Sequence, residues 1–170
     1  SFLALLIGFF TLLVCWINHH YMFTMIYKTN SVLALFNGFK LLIVTITPFA
    51  TALLAKNIEG PWSTSSVCIY CFNFSLMGLA MTGIWLYAKY AGFIRIDSQK
   101  KLKAVTRLYI FASLYSAVIW LVSFISTFCC MLLFCIMFFI FIFPEKVVAW
   151  HMKRHKEQAD LVLDKEIAGA

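Results

Sequence analysis

The sequence predicts an all-α integral membrane protein, and three observations carry that expectation. Hydrophobic residues make up 63% of the 170-residue chain and charged residues only 12%, against roughly half and a quarter in soluble domains. So few charges cannot cover the surface of a water-soluble fold. The apolar residues fall in long runs separated by short basic gaps, each about the 20 residues a spanning helix needs. The stretch Leu108–Phe143 carries no charge over 36 residues, too long for one span at ~1.5 Å per residue. Outer-membrane strands are excluded, since they are about ten residues long and alternate in polarity. A soluble enzyme, a disordered regulator and a secreted disulfide scaffold are disfavoured by the same numbers.

Five spans follow in order. The first covers about 1–27 and is polar only around Asn18, His19 and His20, with Lys28, Thr29 and Asn30 ending it. The second, about 31–55, is interrupted by Lys40 and Pro48, and Lys56, Asn57, Glu59, Gly60 and Pro61 form a turn after it. The third covers about 66–87. A polar gap from Lys89 to Arg107 precedes the uncharged stretch. Ser123, Ser126 and Thr127 divide that stretch into spans of about 104–122 and 128–143. These spans form one helical domain, 1–143, and residues 144–170 form a polar C-terminal tail.

The net charge of +7 is a topology signal rather than a nucleic-acid footprint. Twelve of the 14 basic residues fall in the first gap, the third gap and the tail, which share one side if all five spans are real; the opposite side has only Lys56. The positive-inside rule puts the twelve, and the C-terminus, in the cytoplasm. The chain's first residue then lies outside. One further helix upstream would bring the N-terminus back, so six spans are expected in the native subunit, with the first absent from this chain.

Polar groups inside a span are costly and point to function. Trp16, Asn18, His19 and His20 fan over different helix faces at the cytoplasmic end of the first span. They read either as a hydrogen-bonding cluster that fixes a neighbouring helix or senses pH, or as an interfacial anchor. Lys40 either snorkels to the interface or pairs with an acid, and no Asp or Glu lies in any of the five spans. Thr47 and Pro48 mark a helix kink, with threonines re-satisfying freed backbone groups. Asn37, Asn73, Ser75, Gly78 and Thr82 are residues that let membrane helices pack closely. Cys68–Cys71 and His151–His155 each share a helix face, but a metal needs three or four ligands and neither pair has a second pair. No metal site and no cofactor is expected. Phosphate-binding loops, nucleophile elbows and paired intramembrane carboxylates are absent from the sequence, so catalysis has no support.

The run WINHH at Trp16–His20, then Asn37, then TPFATALL at Thr47–Leu54, then Asn73 and the residues Trp85, Tyr87 and Ala88, resembles the prokaryotic branch of the transmembrane protein 175 family. Members of this family are relatives of the endosomal and lysosomal potassium channel. The resemblance covers roughly Ser1 to Ala88. It implies six helices per subunit with both termini cytoplasmic, a bacterial inner membrane, and a homotetramer around a central pore. It also implies that the pore is lined by a first helix bearing a Phe-Ser-Asp motif. Trp16, Asn18, His19, His20 and Asn37 would support that helix, and Lys40 would face the motif's aspartate. This sequence contains no Phe-Ser-Asp motif, so no pore-lining or selectivity residue can be named in it. The implied function is a passive potassium-permeable channel whose partners are potassium ions, lipid and further copies of itself. The alternatives are a proton-coupled small-solute carrier, with Lys40 and the histidines as a relay, and a non-conducting membrane scaffold.

Overall fold

The computed structural model describes residues 2–57, 60, 63–96, 98–150 and 152–154, with side chains of the first helix described at Leu6 and from Gly8 onward. Five helices follow one another: α1 (Phe2–Phe23), α2 (Ser31–Asn57), α3 (Ser63–Tyr90), α4 (Gln99–Val122) and α5 (Thr127–Phe141). Short connections make consecutive helices antiparallel. The connection 24–30, residues 91–96 and the C-terminal end of α5 therefore gather at one end, and the C-terminal ends of α2 and α4 at the other.

Among the described residues, α2, α3 and α4 are long and apolar enough to cross a membrane. Helix α5 lies close to the expected fifth span of about 128–143. Its 15 residues reach only ~22 Å against a hydrocarbon core of ~30 Å. The chain then bends by 81° into a short helix, Pro144–Arg154. Pro144 supplies a reason: it has no N–H to continue the helical ladder and its ring clashes with the preceding turn. Helix α4 begins at Gln99, five residues ahead of the expected span, because Gln99–Lys103 form a polar turn that continues the helix past its apolar part.

Helix α3 is the centre of the bundle. Over its apolar window 56% of residues are buried, against 22% for α2, whose Leu35, Phe36, Phe39, Leu42, Ile46 and Phe49 face outward. Trp85 and Ile84 on α3 are fully buried with Met22, Val105 and Ala88. Polar links run through this core. Trp85 Nε1 donates to Thr106 Oγ1 at 3.0 Å, and Thr82 Oγ1 donates to the Tyr109 carbonyl at 2.9 Å. Gly78 lets α4 come close: a Cβ there would lie 2.9 Å from Ser116 Oγ, the small-residue packing usual between membrane helices.

The basic end is knitted by backbone bonds. Tyr27 N donates to Phe93 O and Arg95 N to Met25 O, around an Ile26–Ile94 bridge. Gly92 permits this turn with a φ of 70°. Asn30 caps α2 by accepting from Leu33 N, and donates to the Tyr87 hydroxyl on α3.

Candidate functional site

Helix α1 carries the polar cluster, and its pitch separates the members. Asn18 points inward, His19 is half-buried toward α2, and Trp16 and His20 are exposed. Trp16 and His20, four residues apart, stack on the outer face with ring centroids 5.3 Å apart. The four residues therefore serve three directions, not one small site.

The inward member makes the longest connection. Asn18 Nδ2 donates to Val14 O at 2.8 Å and to Phe141 O at 2.7 Å. Both partners are carbonyls, so the network fixes which amide atom is nitrogen. Phe141 is the last residue of α5, where carbonyls lose their helical donors. Asn18 thus caps α5 from another helix. Its Oδ1 has no hydrogen-bond partner among the described residues. The residue borders a small cavity of about 70 Å³ between α1, α3, α4 and α5, lined by Met77, Met81, Met137 and Tyr109 among others. The Tyr109 hydroxyl donates to the Asn18 carbonyl at 3.3 Å.

The α1–α2 seam is polar as well. His19 Nε2 and Asn37 Oδ1 are 2.9 Å apart, which requires the proton on that ring nitrogen. Lys40 does not snorkel: it is only 4% exposed. Nor does it pair with a carboxylate among the described residues. Its ammonium group instead lies near the Cys15 thiol on α1. Gly8 approaches Thr51 on α2, where a Cβ would meet Cγ2 at 3.4 Å.

At Pro48 the α2 helix continues without a break. Thr47 Oγ1 donates to Ile43 O, and Thr51 Oγ1 to Thr47 O. Asn73 Nδ2, from the middle of α3, donates to Thr47 Oγ1 at 2.9 Å. Thr47 and Asn73 are thus brought together, while Pro48 itself is exposed.

Sequence reasoning missed two partners. Tyr70 on α3 hydrogen-bonds Thr11 on α1 at 2.9 Å. Cys71 on α3 lies 3.1 Å, sulfur to sulfur, from Cys130 on α5. Both pairs are 59 residues apart and sit in apolar runs, so no local pattern marks them. Cys68 turns instead to Ser123. Among the described residues no three His, Cys, Asp or Glu side chains converge. His151, His155 and the tail beyond Arg154 lie outside the described residues.

The arrangement binds helices to one another. Comparison with known proteins gives it a context. Residues 1–48 match the family model described as the endosomal/lysosomal potassium channel TMEM175. A potassium channel of Chamaesiphon minutus is 33% identical over 130 residues, covering 74% of this chain and 63% of that protein. A potassium channel of Streptomyces collinus is 26% identical over 102 residues, covering 58% and 50%. The chain thus spans between half and two thirds of the length of these curated relatives. The crystal structure of a lysosomal potassium-selective channel TMEM175 homolog from Chamaesiphon minutus superposes with a TM-score of 0.71 at 28% identity, over 87% of this chain and 73% of that one. Taken with the WINHH run that α1 carries, these likenesses make the chain similar to the TMEM175 family model over its first 48 residues, and similar in sequence and fold to bacterial potassium-channel homologues.

Proposed function

We propose that the chain is a subunit of a passive potassium-permeable channel, a homotetramer in a bacterial inner membrane with its C-terminal end in the cytoplasm. The likeness of its fold to a solved potassium-selective homolog carries this reading. The gathering of the basic connections at one end of the bundle supports the orientation. Ions move down their gradient without covalent chemistry, and the partners are potassium, the bilayer and other subunits.

In this reading the five helices are five of six spans, and the pore is lined by a helix bearing the Phe-Ser-Asp motif. Trp16, Asn18, His19, His20, Asn37 and Lys40 support that helix. The His19–Asn37 bond stiffens the α1–α2 pair, and the buried Lys40 offers its positive charge to the motif's aspartate. Thr47 and Pro48 give α2 a point of reduced backbone bonding. Selectivity uses a device other than a carbonyl-lined TVGYG loop, which the sequence lacks.

The test is a reversal potential. Protein from the full native reading frame is reconstituted in a planar bilayer with potassium on one side and sodium on the other. The expected current reverses well toward the potassium equilibrium potential. Reversal near zero overturns potassium selectivity. Absence of current, with saturable uptake driven by a pH gradient, replaces the channel by a proton-coupled carrier; absence of any flux replaces it by a scaffold.

A further inference from the structure

The bend after α5 opens a groove of about 710 Å³ against α4, within the range of about 300–1,000 Å³ typical of ligand sites. Its walls are apolar: Leu108 and Phe111 on α4, with Phe139, Phe143, Val147 and Trp150 from α5 and the helix beyond the bend. Two cations line it, Arg107 on α4 and Lys146 just past Pro144. Both are exposed, and neither pairs with a carboxylate among the described residues. Lys146 has only the Phe143 ring beneath it, at 4.4 Å. The adjacent Glu145 is not part of the lining.

The helix Pro144–Arg154 turns 81° away from α5, as expected of a segment lying along an interface rather than crossing it. It carries Trp150 with the Arg154 guanidinium over its ring at 5.3 Å, an arrangement suited to headgroup depth. The apolar part of the groove is formed by the flanks of α4 and α5, and its two cations lie at the basic end of the bundle. Basic pockets between helices at this level are where anionic headgroups bind.

We propose that this groove is a binding site for one anionic phospholipid. Its phosphate sits between Arg107 and Lys146, and an acyl chain lies along Phe111, Phe139 and Phe143. The charge of the lining favours an anionic lipid over a zwitterionic one and over a second copy of this chain, whose surface at this end is itself basic.

Native mass spectrometry of the full-length protein tests this, with titration of phosphatidylglycerol or phosphatidylcholine. Phosphatidylglycerol is expected to give tight one-to-one adducts per subunit. Replacing both cations, Arg107→Gln with Lys146→Gln, is expected to weaken them by ten- to thirtyfold, at about fivefold per charge. The charge-keeping pair Arg107→Lys and Lys146→Arg retains binding, which separates loss of the site from loss of fold. Equal adducts with both lipids, or phosphatidylglycerol adducts unchanged in the Gln pair, overturn the proposal. So does displacement of the lipid by inorganic phosphate alone, which makes the site one for a free anion. Absence of adducts in an oligomer that forms through this groove overturns it too, in favour of a second copy.

Discussion

Asn18 on α1 donates its amide to the main-chain carbonyl of Phe141, 2.7 Å away and 123 residues distant in sequence. The bond ends α5 at the point where the chain must turn toward Pro144. A side chain from the first described helix thereby holds the last one. With Tyr109 bonded to the Asn18 carbonyl, α1, α4 and α5 meet at one residue.

Asn18→Ala is expected to leave the Phe141 carbonyl unpartnered and to lower stability by about 1–2 kcal/mol, within the cost of one orphaned buried group. Asn18→Asp is expected to do no better, because an ionised carboxylate accepts only. Thermal unfolding in detergent measures the loss. Hydrogen exchange of the amides at 145–148 is expected to speed up in both variants. Unchanged stability and exchange in Asn18→Ala would show that the bond does not hold the bend.

His19 and Asn37 form a compact pair across the α1–α2 seam, so their effects should not add. Each alanine substitution alone is expected to cost about 0.5–1.5 kcal/mol, and the double variant about the same as either single. A double-mutant cycle on unfolding in detergent reads the coupling. Fully additive costs would separate the two residues.

Trp16 and His20 stack on the exposed face of the same helix. Trp16→Ala and His20→Ala are therefore expected to change the stability of the isolated subunit by less than about 0.5 kcal/mol. If these residues support the pore-lining helix of the proposed assembly, both variants shift the oligomer toward monomer in native mass spectrometry. Unchanged oligomer and unchanged currents would remove their supporting role.

The all-helical class was legible because composition and run length are properties of the whole chain. Polar links were legible only where the polar group stands out locally. Asn18, His19, Asn37 and Lys40 interrupt apolar runs and were seen for that reason. Their partners were not all visible: Lys40 lies near Cys15, a residue that reads as hydrophobic, and Asn18 bonds a carbonyl, which has no sequence identity. Thr11–Tyr70 and Cys71–Cys130 depend on which faces of distant helices meet, and packing alone sets that. The expected fifth span ends at 143, but the 81° turn that follows also involves the donor that Asn18 supplies to the Phe141 carbonyl.

The two glycines Gly78 and Gly38 make the final prediction, because they are alike in sequence and opposite in surroundings. At Gly78 a methyl group would lie 2.9 Å from Ser116 Oγ and 3.6 Å from the Ser113 backbone. Gly78→Val is expected to push α3 from α4 and cost about 1–3 kcal/mol, the usual penalty of overpacking. At Gly38 a methyl group meets nothing within 4 Å. Gly38→Ala is expected to stabilise the isolated subunit by about 0.5–1 kcal/mol, since alanine loses less backbone freedom on entering a helix. Unfolding of the two variants in detergent checks both signs. If a neighbouring subunit covers the outward face of α2, the gain at Gly38 reverses in the assembled oligomer while the loss at Gly78 stays. The two glycines together then report whether α2 faces lipid or protein.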